Sequence, residues 1–95
     1  METELRGLIE KEIDSLIVPE TLEKLVVWFQ TMFPIKSMED SLFGFIVGTI
    51  FSRFLTITAV GTQGLPNDAQ VKEFMELIER RTMEIRGKIK LAISK

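Results

Sequence analysis

Cysteine, histidine and tyrosine are all missing from the 95 residues. The first absence excludes disulfides, thiolate metal sites and thiol nucleophiles. The second removes the side chain that titrates near neutral pH and the commonest transition-metal ligand, and the third removes the phenolic acid. Acid–base chemistry would have to rest on carboxylates, lysine or arginine alone. No catalytic residue, metal site or cofactor is therefore assigned, and an enzyme is disfavoured. A phosphate-binding glycine loop, a GxSxG elbow, an EF-hand loop and an internal repeat are absent as well. No stretch identifies the chain as a member of a known family. The acidic start Met-Glu-Thr-Glu leads into no apolar signal-peptide run, so a cytoplasmic location is the expectation.

What is present points to one helical domain. The length suits a single domain spanning residues 1–95, and 45% of the residues are hydrophobic. Seven of the eight aromatic residues lie between Trp28 and Phe54, with Phe74 the exception, so the core draws chiefly on the middle of the chain. Residues 1–40 carry nine acidic and four basic side chains, whereas residues 71–95 carry four acidic and seven basic. The two ends attract each other, which favours packing of the last helix against the first two, in the same chain or in a second subunit.

Hydrophobic spacing places four helices. Leu5, Leu8, Ile9, Ile13, Leu16 and Ile17 recur at steps of three and four, with Thr3 as N-cap and Val18-Pro19 as terminator. Leu22, Leu25, Val26, Phe29, Met32 and Phe33 form the stripe of a second helix, bordered by Trp28 and stopped by Pro34. Ser37 followed by Asp40 approximates a capping box and starts a third helix at Met38, running to about Val60. In its last residues, 56–60, Thr56, Ile57, Thr58 and Val60 are β-branched and alternate in polarity as a short strand would, but no partner strand is evident. Asn67 and Gln70 open a fourth helix, about 68–93, whose seam is Val71, Ile78, Ile85 and Ala92, with Phe74, Met75 and Ile89 alongside. The fold class is all-α, a four-helix, bundle-like domain.

The third helix carries the candidate sites. Between Leu42 and Val60 its only charge is Arg53, and a helix apolar on most sides must be surrounded by partners. Gly44 and Gly48 remove side chains from one patch, so that a helix can approach closely, either from the same chain or from another subunit. Thr49, Ser52, Arg53 and Thr56 share a polar stripe. A guanidinium in such a setting needs a carboxylate, solvent or a bound anion, so the stripe reads either as an internal ion pair or as a small pocket for an acidic ligand. Length and composition would also allow this segment to cross a bilayer. Arg53 near its middle, the absence of flanking basic clusters and the amphipathic form of the other helices argue against that.

The C-terminal cations Arg80, Arg81, Arg86, Lys88, Lys90 and Lys95 divide to either side of the apolar seam and complement the helix dipole, which makes nucleic acid an unfavoured partner. Val27, Leu77, Met83 and Leu91 fall off the main stripes, and monomers seldom expose large apolar patches. The reading is an assembly or protein-interaction module, self-associating as a homodimer, with another protein as a further possible partner. Gly44, Gly48, Leu77, Met83 and Leu91 are its candidate contact residues. The alternative is a small-molecule or lipid-binding bundle with a pocket near Arg53.

Overall fold

The computed structural model describes residues 3–62 and 64–95, Thr62 by its backbone only. Four helices follow in order, α1 Thr3–Leu16, α2 Pro19–Met32, α3 Met38–Thr62 and α4 Asp68–Ile93, with no strand among the described residues. The chain is an all-α bundle of two short helices set against two long ones. α3 and α4 run antiparallel, since Arg86 reaches Glu39 at one end while Phe74 stacks on Phe54 towards the other. α3 packs against all three other helices, and α2 also packs against α4.

Each boundary has a local cause. Thr3 is itself the first helical residue, so it is not the N-cap of α1; the residue before it lies outside the described residues. Pro19 occupies the first turn of α2, where its missing N–H costs nothing. The Ser37 hydroxyl accepts from the Asp40 amide at 3.2 Å, one half of a capping box. The other half is replaced, because the Asp40 carboxylate is bonded to Arg86. At α4 the box is complete: Asn67 Oδ1 accepts from the Gln70 amide at 2.8 Å and Gln70 Oε1 from the Asn67 amide at 3.0 Å.

The β-branched end of α3 is helical. The Thr58 hydroxyl donates to the Phe54 carbonyl at 2.7 Å, so a buried polar side chain is satisfied without leaving the helix. Gly61, a residue type that commonly stops helices, lies inside α3.

The core follows rows of four-residue steps. Ile9, Ile13 and Ile17 of the first segment meet Leu22, Leu25 and Val26 of α2, Leu42, Ile46, Ile50 and Phe54 of α3, and Phe74, Leu77, Ile78, Ile85, Ile89 and Ala92 of α4. Two expectations change here. On α4 the seam widens toward Leu77, which is 3% exposed, and not toward Met75, which points to solvent. On α2 the stripe leaves the core after Phe29, which is partly buried against it, so Met32 and Phe33 are exposed along with Val27 and Trp28.

The charge gradient is realised as ion pairs within the chain. Arg81 reaches Glu10 at 3.1 Å and Asp14 at 2.7 Å on α1, and also Glu84 on its own helix. Arg86 reaches Glu39 at 2.8 Å and Asp40 at 3.0 Å, with its guanidinium 4.1 Å from the centre of the Phe43 ring. Lys95 extends to Glu23 at 3.4 Å. Burial works against the charge of Arg81, but its hydrogen bonds to Asp14 and Glu84 outweigh that and push its pKa up. Arg86 is likewise pushed up, chiefly by its bond to Glu39 and then by that to Asp40.

Candidate functional site

The row that α3 buries drifts around the helix. Leu42, Ile46, Ile50, Phe54 and Thr58 are all inside, each four residues from the last. A step of four residues overshoots one turn by about 40°, so the buried row rotates along the axis and so does the face opposite it. That opposite face holds Asp40, Gly44, Gly48, Ser52 and Thr56, all exposed, with Phe45 and Arg53 beside them. A helix expected to be surrounded is therefore covered by three neighbours and open along its fourth side. Little apolar surface is shown there because the residues on that side are small.

Gly44 and Gly48 face open space. A Cβ built on either would meet no heavy atom within 4 Å. Among the described residues, no helix of the same chain makes the close approach that the pair allows. The two glycines line one shallow groove with Phe45, Thr49, Ser52 and Arg53. The glycine patch and the polar stripe, distinct faces by sequence spacing, thus form a single surface, with Thr56 one turn farther along.

Thr49, Thr56 and Arg53 of this surface find partners within the chain. The Thr49 hydroxyl donates to the Phe45 carbonyl at 2.8 Å and the Thr56 hydroxyl to the Ser52 carbonyl at 3.0 Å. Arg53 Nε lies 3.7 Å from Glu12 Oε1 of α1, and the Arg53 side chain is 60% exposed. Of the two readings of Arg53, the ion pair to another helix is the one the geometry supplies. The groove has no enclosed polar wall that would require a bound anion for charge balance.

An aromatic shelf borders the groove. Phe45 sits edge-on to Phe29 of α2, with ring centres 5.3 Å apart, and Phe29 sits edge-on to Phe33 at 5.6 Å. Phe33 and Phe45 remain 52% and 42% exposed. Trp28 and Met32 repeat the same four-residue step on α2 and are also exposed. Sequence spacing assigned Met32 and Phe33 to the core; the signal that could have placed this shelf was the cluster of large side chains at the end of a short helix, just before Pro34.

The other candidate contact residues separate. Leu77 is spent in the core of its own chain and cannot serve as an exposed contact. Arg81, one turn on, makes the ion pairs to α1. Met83 and Leu91 are exposed on α4. Leu91 lines a cavity of about 120 Å³ with Ile17, Leu22 and Lys88, well below the roughly 300–1,000 Å³ of a small-molecule site. The aromatic rings of the middle segment fill space instead of enclosing it: Phe54 stacks on Phe74 at 4.8 Å and Phe51 packs against Phe74 at 5.3 Å. Two of the C-terminal cations, Arg81 and Arg86, are committed to carboxylates of the same chain, a bracing role that sequence spacing did not assign to either. Comparison of the chain with protein-family models, with curated proteins and with solved structures finds no match.

Proposed function

We propose that this domain is an assembly module whose docking surface is the open side of α3, and that its first partner is a second copy of the same chain. One observation carries the reading. The longest apolar helix turns its two glycines to open space, where neither has a neighbour within 4 Å of a built Cβ, and sets an exposed aromatic shelf beside them. Glycine in a helix interior costs about 1 kcal/mol relative to alanine. Two such costs on an exposed face bring no benefit to the isolated chain. They are recovered when a second helix backbone approaches closely enough for dispersion and Cα–H···O contacts along the groove.

A self-complementary patch is the simplest partner for such a face, because a twofold interface uses the same surface on both subunits. Phe33, Phe45, Trp28 and Met32 supply the large apolar contacts that anchor interfaces, while the groove supplies a flat bed. A ligand-carrier reading has less support, since in the groove the Thr49 hydroxyl already donates to its own helix and Arg53 already faces Glu12.

The test is sedimentation of the chain and of Gly48→Leu across micromolar concentrations. The reading expects a concentration-dependent doubling of mass that the leucine abolishes while the helical circular-dichroism signal is kept. α3 is the one candidate membrane span among the described residues, and 22% of its most apolar stretch is buried. Accordingly, a chain that stays monomeric and instead floats with phosphatidylcholine vesicles would assign the face to lipid and overturn the proposal.

A further inference from the structure

We propose that the cavity between the α1–α2 turn and the end of α4 is a site for a small monocarboxylate with an apolar tail of about four carbons. Its lining residues come from that turn, from α2 and from α4, so it is separate from the docking face on α3. The floor is Ile17, Leu22 and Ala92, which are 5%, 0% and 7% exposed. Leu91 also lines it and is 63% exposed, which places it at the mouth. One residue accounts for the space. The seam of α4 repeats every seven residues as Val71, Ile78, Ile85 and Ala92, so a methyl group stands where a branched side chain would fill the volume. Unfilled apolar volume of this kind lowers the stability of the chain on its own, and a ligand tail restores the missing contacts.

Volume and charge together name the class. An apolar cavity of roughly 150 Å³ holds benzene, and this one, at about 120 Å³, accepts something slightly smaller than that ring. Only the tail of a ligand is enclosed, and its head stays at the mouth. Three ionised side chains line the site, Glu23, Lys88 and Lys95. Glu23 and Lys95 face each other at 3.4 Å. Glu84, one turn before Lys88, is held by Arg81 at 2.9 Å. Lys88 is thereby the lining charge that has no carboxylate among the described residues. Its exposed ammonium, on a long flexible stem beside an apolar opening, meets the head of a ligand whose tail lies inside. A short-chain acid satisfies both features. A longer tail overfills the cavity, and a neutral head leaves Lys88 unpaired.

The experiment is an amide NMR titration of the full chain with acetate, propanoate, butanoate, pentanoate, hexanoate and octanoate at constant ionic strength. Saturable shifts are expected at Ile17, Leu22, Leu91 and Ala92. The Kd falls about fourfold per added methylene as far as pentanoate, into the low millimolar range, and levels from hexanoate on. Lys88→Gln weakens pentanoate about three- to fivefold and leaves pentanol unchanged. Ala92→Leu fills the cavity and abolishes binding. Leu91→Asp, a change at an exposed position that keeps the core intact, sets a carboxylate at the mouth and does the same. Equal shifts for acetate and pentanoate would reduce the site to adventitious ion binding at the lysines and overturn the proposal. A Kd that keeps falling through octanoate would place the tail on the surface and overturn the cavity as the site. Pentanol that binds as tightly as pentanoate would overturn the carboxylate class.

Discussion

Replacing Gly44 and Gly48 by alanine separates the stability of the chain from its assembly, because the two should move in opposite directions. In the isolated chain each substitution adds a methyl group to empty space, with no heavy atom within 4 Å of the new Cβ. It removes the backbone entropy that glycine loses on entering a helix. The gain is about 0.8–1.0 kcal/mol per site, or about 2 kcal/mol for the pair. A domain of 95 residues unfolds with an entropy near 0.2 kcal/mol/K, so the pair should raise Tm by about 10 °C. In the dimer the same methyl groups enter the closest contact between two backbones. Overpacking of that kind costs about 1–3 kcal/mol, which weakens association roughly ten- to a hundredfold. The assay is thermal unfolding followed at 222 nm, below the concentration at which mass doubles, together with sedimentation above it. A lower Tm for the monomeric double variant would show that the groove is already filled within the chain. An unchanged dissociation constant would show that the groove is not where copies meet.

Other substitutions test the packing. Phe54→Ala empties a fully buried position and removes the stack on Phe74. It should cost about 3–5 kcal/mol in urea unfolding, and a loss below 1 kcal/mol would contradict the core described here. Arg81→Met removes the cation that ties α4 to α1 through Glu10 and Asp14, leaving those carboxylates to water. Since they are about half exposed, the loss should be about 1–2 kcal/mol and not the larger figure for a buried pair, as a shifted urea midpoint would record. The two arginine pKa values that shift are both raised, so the stability they contribute is fully present below the ordinary arginine pKa and is lost only as pH rises through the higher folded values. With no histidine, cysteine or tyrosine in the chain, unfolding midpoints at pH 6 and pH 9 should agree, and a difference above about 1 kcal/mol would contradict this account.

Much of the fold could be read from local chemistry. Asn67 with Gln70, Ser37 before Met38 and Pro19 after Val18 set helix starts by mechanisms confined to one turn. The excess of acid in residues 1–40 and of base in residues 71–95 pointed to attraction between the two ends of the chain, but not to the residues that realise it, Arg81 with α1 and Arg86 with the start of α3. The proposed docking surface was only partly legible. Gly44, Gly48, Thr49, Ser52 and Arg53 were each identifiable, but their union in one groove was not. Spacing on a nearly all-apolar helix does not say which side is left uncovered; that depends on the drift of the buried row from Leu42 to Thr58 and on where α1, α2 and α4 stop. The same ambiguity exchanged Met75 for Leu77 on α4, since both flank the seam and spacing alone does not decide between them. Met32 and Phe33 illustrate the limit from the other direction: their spacing continues the apolar stripe of α2, yet the core they would join ends at Phe29.

Sedimentation equilibrium of the unmodified chain tests the central claim most directly. The open side of α3 as a self-docking surface predicts a species of twice the 10.9 kDa chain mass at tens of micromolar, dissociating on dilution and absent in Gly48→Leu. A single mass of 10.9 kDa across the whole range, identical for the chain and the variant, would contradict it.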